Sequence, residues 1–270
     1  MERIITTGNI GRFDFSFLVN FLFGYLRGLQ AVRKVRDLLM SNVQIIHGDC
    51  MEAMKAMPDK AFELAIVDPP YNVGADDGSF GRGGAKAIKH TGLTVATYRK
   101  DLHRYAQAKE VPSAAYFTEL FRVSNNQIIW GANYYPEYLT HSGWVVWDKI
   151  KSDGLLSEAE LAFQSFNKTV RIFRHEWEGF RKGIGSFEPT SSRTIHPNQK
   201  PLRLYQWLLK NYAKPGDKIL DTHLGSGSSA IAADIMGFDF TGFEIDKDYY
   251  EAALDRFNRH KQQTVLEFSI

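Results

Sequence analysis

Apolar residues in this chain fall into short runs that alternate with stretches of helical periodicity. A short apolar run bounded by turn residues predicts a buried strand, and apolar positions three or four residues apart predict a helix packed on the sheet. Strands that alternate with helices are typical of the α/β class, so we expect a doubly wound, mostly parallel sheet with an antiparallel strand pair at one edge. The predicted strands are 43–46, 64–67, 127–130, 144–147, 169–173, 218–220 and 240–243, and the predicted helices contain Met54, Leu120, Leu209 and Phe257.

Residues 1–39 do not share this pattern. An apolar and aromatic run over 13–26 is followed by several arginines and lysines, and it is shorter than the ~20 apolar residues of a membrane span. A secretory signal places its charges before the apolar run, which is the reverse order. We therefore predict an N-terminal extension of uncertain role over 1–39, with an accessory helix as the alternative, followed by one domain over 40–270.

Composition narrows the class of protein further. With 270 residues and 44% hydrophobic content, the chain can form one α/β domain with a substantial core. The formal net charge of +2 is nearly balanced, so binding to nucleic acid would need a local basic patch. The single cysteine, Cys50, excludes a disulfide framework and a cysteine zinc site, and it fits a reducing cytoplasm. The histidines show no metal-ligand spacing, so no metal is expected.

The strongest chemical signal is Asp68-Pro69-Pro70-Tyr71, directly after the predicted strand 64–67. Prolines cannot continue the strand, so the chain leaves the sheet stiffly at the edge where α/β proteins bind ligands. The Asp68 carboxylate and the Pro69 carbonyl can together accept both hydrogens of an exocyclic amino group, and Tyr71 can stack on a planar ring. The motif suits a flat heterocycle with an amino group, such as adenine or cytosine. An ordinary turn after a core strand is the alternative.

A glycine-rich loop follows the predicted strand 218–220 and opens a helix. Gly225, Gly227 and Ala230 fit the spacing that lets a backbone approach a nucleoside ligand closely. Glu244 ends the next strand, where an acid commonly binds ribose hydroxyls. A nicotinamide dinucleotide would accept the same loop, but it gives no reason for the motif at Asp68. S-adenosylmethionine also has a ribose, and its methyl group needs a nucleophilic acceptor such as an amine.

Basic residues interleaved with aromatic ones lie between these two motifs. Mixed basic and aromatic residues are typical of a nucleic-acid surface, and a solvated rim explains them nearly as well. The candidates for DNA binding are Arg82, Lys86, Lys89, Lys151, Arg181, Lys182 and Arg193.

Taken together, these motifs resemble the S-adenosylmethionine-dependent DNA amino-methyltransferases. Asp68-Pro69-Pro70-Tyr71 looks like their catalytic motif in the form associated with adenine N6, whereas cytosine-N4 members more often begin with serine. The stretch 221–227 resembles the cofactor loop, 196–201 the box that holds the methionine end, and 243–246 the ribose-binding segment. Because the catalytic motif precedes the cofactor loop, the resemblance is to the permuted β class.

The resemblance implies a Rossmann-like methyltransferase fold and transfer of a methyl group to adenine N6 in double-stranded DNA, with base flipping. The catalytic residues it implies are Asp68, Pro69, Pro70 and Tyr71. Target recognition would lie within 72–195. The implied cofactor-binding residues are Asp49, Asp68, His196, Asn198, Lys200, Asp221, His223, Leu224, Gly225, Ser226, Gly227, Ser228, Glu244, Ile245 and Asp246.

One departure concerns the cofactor loop, where the family usually has proline and phenylalanine after the first acid. Thr222, His223 and Leu224 stand there instead, so Leu224 would supply an apolar floor without a stacking ring. Alternatives to the adenine reaction are methylation of cytosine N4 or of adenine in RNA, and a DNA-binding protein on a decayed methyltransferase scaffold. A nicotinamide oxidoreductase is more distant. The resemblance also implies a bacterial or phage protein, a homodimer, a cognate restriction enzyme as partner, and no membrane partner.

Overall fold

The computed structural model describes residues 41–71, 111–140, 143–150, 157–176, 195–196 and 199–267, with side chains up to residue 263. Within these ranges the strands form a single eight-stranded sheet. The strands are β1 (Val43–His47), β2 (Phe62–Val67), β3 (Ser124–Trp130), β4 (Trp144–Asp148), β5 (Ala159–Gln164), β6 (Val170–Arg174), β7 (Lys218–Asp221) and β8 (Asp239–Glu244).

The strand order is β1-β8-β7-β2-β3-β5-β4-β6, and all neighbouring pairs are parallel except those made by β5. The predicted mostly parallel sheet with antiparallel pairing is confirmed. Strand β5 was not predicted, because its apolar run is only three residues long, Leu161 to Phe163, and is flanked by the polar Glu160 and Gln164. β2 and β3 also begin earlier than predicted, since Phe62 pairs with Ser124 in the ladder.

Helices cover both faces of the sheet. Alternate residues of a strand point to opposite faces, so Leu64 and Ile66 join one apolar cluster while Ala65 and Val67 join the other. The helices are α1 (Cys50–Ala56), α2 (Ala114–Val123), α3 (Leu202–Tyr212), α4 (Ser228–Met236) and α5 (Lys247–Glu267), with a 3₁₀ turn at Ala132–Tyr134. The first cluster is packed by α3, α4 and α5, and the second by α1 and α2.

The crevice of the sheet lies between β7 and β2, which are neighbours through Leu64 and Ile219. From β7 the chain passes through α4 to β8 on one side, and β3 lies beside β2 on the other. Connections that leave two adjacent parallel strands in opposite directions open a crevice at their carboxyl ends, which is where ligands bind in such sheets. Asp221 ends β7 and Asp68 directly follows β2, so the fold brings the two predicted motifs together.

The predicted extension over 1–39 lies outside the described residues, and the division into extension and domain stays a prediction. Strands β3 to β6 fall within 72–195, so part of the segment assigned to target recognition builds the sheet itself. No helix of the described residues is both long enough and apolar enough to cross a bilayer.

Candidate active site

The strand-end motif is held by a buried tyrosine from the turn after β3. The Tyr135 hydroxyl lies 2.6 Å from the carbonyl oxygen of Pro70 and 3.1 Å from that of Pro69. One hydroxyl proton cannot fully satisfy both, so the shorter contact carries the hydrogen bond and Pro69 keeps acceptor capacity. Tyr135 is buried. The two proline carbonyls are thus fixed in direction by a residue 65 positions away in sequence.

Among the described residues, only one oxygen of the Asp68 carboxylate has a hydrogen-bond partner. The Lys200 ammonium donates to Oδ2, while Oδ1 is buried and has no hydrogen-bond partner among the described residues. Burial raises the pKa of Asp68, the Lys200 ammonium opposes that shift, and Glu160 adds to it. A buried acceptor without a partner is costly, so Oδ1 is prepared to accept a hydrogen from a ligand.

Lys200 is shared with a second carboxylate that the sequence analysis did not identify. Its Nζ lies 3.2 Å from Oε2 of Glu160, whose Oε1 is 2.6 Å from Nζ of Lys149. Although burial raises the pKa of the Glu160 carboxyl, the two lysines together hold it below its usual value. The resemblance gave Lys200 to the cofactor, whereas the structure places its ammonium on Asp68.

The ring of Tyr71 packs between a glycine and a second tyrosine. It stacks on Tyr134 with ring centroids 4.7 Å apart and planes 7° from parallel. On Gly131, which has a φ of +68°, an added Cβ would lie 2.6 Å from Cε1 of Tyr71 and would also overlap Cδ1. Glycine is therefore required there for both backbone conformation and space. Tyr134 remains partly exposed at the mouth of this arrangement.

Asp221 holds the glycine loop in place by accepting two hydrogen bonds. The hydroxyl of Ser229 donates to Oδ2 at 2.6 Å, and the backbone N–H of His223 donates to Oδ1 at 3.0 Å. Burial raises the pKa of Asp221 to about 7, even though both hydrogen bonds favour the charged form. The Ser229 contact ties the loop to the first turn of α4.

The glycines of the loop carry the backbone across the crevice. Gly225 and Gly227 have φ values of +55° and +74°, and a Cβ on Gly227 would crowd Ala253 of α5 at 3.3 Å. Arg256 of α5 donates to the Ser226 carbonyl at 2.8 Å and to the Ser228 hydroxyl at 2.9 Å, and the two serine hydroxyls lie 3.1 Å apart. The loop is therefore closed against α5.

Glu244 braces the loop from the neighbouring strand. Its Oε2 accepts the N–H of Gly225 at 2.8 Å, and its Oε1 accepts the N–H of Asp246 at 2.9 Å. Burial raises the pKa of Glu244 above its ordinary value. Asp246 in turn accepts the N–H groups of Asp248 and Tyr249 at the start of α5. Ile245, between them, is exposed.

A cavity of about 100 Å³ lies beside the loop. His223 contributes a ring to it, and burial lowers the pKa of that imidazole to about 4, so the ring is neutral at pH 7. Asp49 caps α1 by accepting the N–H of Met51 at 2.8 Å. Leu224, predicted as the apolar floor, is buried in the core against Gly242 instead. The cavity is lined by Gly48, Asp49, Cys50, Thr222, His223, Phe243, Glu244 and Ile245.

Thr222 and His223 are linked to α2 by a chain of polar contacts. The hydroxyl of Thr222 lies 2.7 Å from that of Tyr116 and 2.9 Å from Nδ1 of His223. The His223 ring also meets the Tyr116 ring edge-on at 5.4 Å. These contacts fix the orientation of the His223 ring in the wall of the cavity.

His196 covers the outer side of the glycine loop. Its Nδ1 would be 3.5 Å from a Cβ on Gly225, and its ring meets Tyr249 with centroids 4.5 Å apart. Burial, with a smaller effect of the Lys200 charge, lowers the pKa of His196 to about 4. The segment that contains His196 and Lys200 therefore contacts both the glycine loop and Asp68.

Several predicted residues lie outside the described part of the chain. They are Asn198 and the DNA-binding candidates Arg82, Lys86, Lys89, Lys151, Arg181, Lys182 and Arg193. Across the ranges that are described, no three His, Cys, Asp or Glu side chains lie close enough together to hold a metal ion.

Known proteins are similar to this chain over much of its length. A model of the N6/N4 DNA methylase family, described as DNA methylase, matches residues 167–255, which contain the box, the cofactor loop and the ribose segment. The resemblance to DNA methylases is confirmed. The Type II methyltransferase M.ScaI of Streptomyces caespitosus is 23% identical over 261 residues, which cover 82% of this chain and 83% of that protein. The methylase YubD of Escherichia coli K12 is 26% identical over 79% of this chain and 89% of its own length.

A solved structure supports the architecture. The PvuII DNA methyltransferase, named as cytosine-N4-specific, superposes with a TM-score of 0.52 at 12% identity, over 81% of this chain and 87% of that one. At this identity the likeness concerns the fold. The predicted Rossmann-like methyltransferase fold is confirmed.

Proposed function

We propose that this protein is a DNA methyltransferase that transfers the methyl group of S-adenosylmethionine to the N6 amino group of adenine. The observation that carries the proposal is the unpartnered Oδ1 of Asp68, buried at the carboxyl end of β2 beside the Pro69 carbonyl. The pair offers two acceptors on a rigid frame, which suits the two hydrogens of an exocyclic amino group. The family match and the names of the relatives support DNA as the substrate.

The cofactor half of the crevice fits S-adenosylmethionine. Each oxygen of Glu244 accepts one backbone N–H and keeps a lone pair, so the carboxylate can also accept the two hydroxyls of a ribose. The cavity beside it offers the neutral ring of His223 and the apolar Phe243 to a flat base. Gly225 and Gly227 let the backbone approach the rest of the molecule.

When bound, S-adenosylmethionine supplies an electrophilic methyl group. Asp68 Oδ1 and the Pro69 carbonyl would accept the two amino hydrogens of the target base, which directs the nitrogen lone pair out of the ring plane and toward the methyl. As the new N–C bond forms, the S–CH₃ bond would break with its electron pair staying on sulfur, and the amino group would give up one proton to the Asp68 carboxylate or to solvent. Positioning and electrostatics carry such a reaction, and the chain's role is to hold the amino group in line.

The target base must leave the duplex to reach a carboxylate buried at the strand end. Extrusion costs a few kcal/mol, which contacts in the pocket must offset. We assign stacking on the extruded ring to Tyr71. Its face is now covered by Tyr134, so we expect Tyr134 to shift when a base enters, and its partial exposure makes that movement inexpensive.

Adenine is favoured over cytosine because the motif begins with aspartate. Transfer of a tritiated methyl group to unmethylated genomic DNA, followed by separation of the nucleosides, tests the proposal directly. Label in N6-methyladenine supports it, and label in N4-methylcytosine keeps the reaction but changes the base. Label found only on RNA would mean that the substrate is RNA and not DNA. No transfer to either nucleic acid would indicate a DNA-binding protein on a methyltransferase scaffold that no longer catalyses. Mass measurement in solution checks the proposed homodimer, and the restriction partner is tested by cleavage of unmodified DNA in the source cells.

A further inference from the structure

Four charged side chains that are largely shielded from solvent form a row that begins at Asp68. The Lys200 ammonium contacts Oδ2 of Asp68 and also lies 3.2 Å from Oε2 of Glu160. The other oxygen of Glu160, Oε1, lies 2.6 Å from Nζ of Lys149, which ends the row. The side chains are between 3% and 21% exposed, with Lys200 the most buried. The row alternates in sign and is neutral as a whole. We call it the charge row.

The members of the charge row come from separate parts of the sheet. Asp68 follows β2, Lys200 precedes α3, Glu160 lies on β5 and Lys149 follows β4. Removing four charges from water is unfavourable, and apolar residues of similar volume often fill such a space at least as stably. Stability alone therefore does not explain the charge row. Its contact with the Asp68 carboxylate points to a role in the reaction.

We propose that Glu160 is a positioning residue for methyl transfer, because it holds the Lys200 ammonium on Oδ2 of Asp68 and so leaves Oδ1 directed at the target amino group. This rests on the proposed function. Lys200 has three N–H donors and a flexible stem, so without a second anion it can move onto either oxygen of Asp68. With Glu160 behind it, the ammonium is held between two fixed carboxylates. Lys149 fixes Glu160 in the same way from the far side.

The charge row also sets the proton affinity of Asp68. The charged and titratable groups around Asp68 are Lys200, Glu160 and Lys149 in the row, and Asp221 and Tyr205 across the crevice. The negative charge of Glu160 raises the pKa of Asp68, and the positive charge of Lys200 lowers it. Removing Glu160 must therefore lower the pKa of Asp68, and removing Lys200 must raise it. Because the ionised carboxylate accepts an amino hydrogen much more strongly than the protonated acid does, the acid limb of the rate profile should move in opposite directions in the two variants.

The test compares full-length wild type with Glu160→Gln, Glu160→Asp and Lys200→Met. Single-turnover methyl transfer to DNA is measured across pH, and affinity for S-adenosylmethionine is measured by calorimetry. We expect Glu160→Gln to slow transfer about 10- to 100-fold, as for a misplaced reacting group, with its acid limb at lower pH and cofactor affinity within about threefold of wild type. Glu160→Asp keeps the negative charge on a shorter side chain. We therefore expect its rate of methyl transfer to fall while the acid limb of its rate profile stays at the wild-type pH. Lys200→Met moves the limb to higher pH.

Glu119→Gln is the matched control, because it breaks the ion pair of a partly buried carboxylate with Arg122, away from Asp68. It should transfer methyl groups at the wild-type rate. Wild-type rates and an unmoved acid limb in Glu160→Gln would overturn the inference and leave the proposed function standing. If Glu160→Gln does not fold, Glu160→Asp decides, and a wild-type rate there overturns the inference. Absence of transfer by the wild-type chain to DNA and RNA would overturn the proposed function and this inference with it.

Discussion

Replacement of Gly131 by alanine tests how the ring of Tyr71 is held at the strand end. Gly131 has a φ of +68°, and an added Cβ would lie 2.6 Å from Cε1 of Tyr71. A residue with a side chain in this left-handed conformation costs about 1–2 kcal/mol, and overpacking a filled site costs about 1–3 kcal/mol more. We therefore expect Gly131→Ala to lower the free energy of unfolding by about 2–5 kcal/mol.

Gly216→Ala separates the backbone effect from the contact. Gly216 also has a positive φ, +91°, but nothing lies within 4 Å of a Cβ built there. Its replacement should cost only the backbone part, about 1–2 kcal/mol. Urea unfolding of both variants measures the difference, and the same two changes made in a Tyr71→Ala background should cost nearly the same as each other. Such a double-mutant cycle isolates the contact with Tyr71.

Methyl transfer provides the second measurement. A displaced Tyr71 ring can no longer stack on the target base, so Gly131→Ala should slow transfer while affinity for S-adenosylmethionine stays near the wild-type value. Gly216→Ala, in the turn before β7, should leave the rate unchanged. Equal destabilisation by Gly131→Ala and Gly216→Ala in the wild-type background would refute the packing of Tyr71 on Gly131. Unimpaired transfer by a folded Gly131→Ala would refute the role of that ring.

Other changes probe the two halves of the crevice and the core. Asp68→Asn should abolish methyl transfer and keep cofactor affinity, which calorimetry and a tritium assay check together; substantial transfer by this variant contradicts the assignment of Asp68. Tyr135→Phe loses the hydroxyl that fixes the proline carbonyls, so it should cost about 1 kcal/mol in urea unfolding and slow transfer at unchanged cofactor affinity. Asp234, although buried, has its pKa lowered to about 2 by His260, Lys261 and Ser41. The ionised Asp234 carboxylate contributes fully to the free energy of unfolding above the unfolded-state pKa near 4, and this contribution is lost as the pH falls toward 2. Over that range the free energy of unfolding of the wild type should therefore fall by about 2 kcal/mol more than that of Asp234→Asn. Parallel losses in the two proteins would contradict this.

The strand ends could be predicted because their signal is local. Leu64, Ala65, Ile66 and Val67 form one apolar run with prolines after it, and no distant residue is needed to interpret them. The same holds for Glu244, which ends an apolar strand at a fixed spacing from the glycine loop. Parallel strands then bring their carboxyl ends to one edge, so the meeting of Asp68 and Asp221 follows from topology.

The supporting residues could not be predicted because their signal is not local. Glu160 lies on a strand with polar residues at both ends, and its partner Lys200 is forty positions further along the chain. Tyr135 follows Tyr134 in a turn, and only the fold shows that one is buried under the prolines while the other remains at the surface. Sequence patterns locate the groups that react, whereas the groups that orient them depend on contacts between distant segments.

The carboxyl groups around the crevice favour a positively charged ligand. Burial raises the pKa values of Asp221 and Glu244, and the charge of Glu244 adds to the shift at Asp221. The charge of Asp68, by contrast, is already offset by the Lys200 ammonium. A cation bound between them would relieve both the repulsion and the loss of solvation, so it would be held more tightly than a neutral molecule of the same shape. The sulfonium of S-adenosylmethionine carries such a charge, and the product that remains after methyl transfer does not. Under the proposed function, these carboxyl groups therefore favour S-adenosylmethionine over its uncharged product, and this preference follows from burial and charge alone.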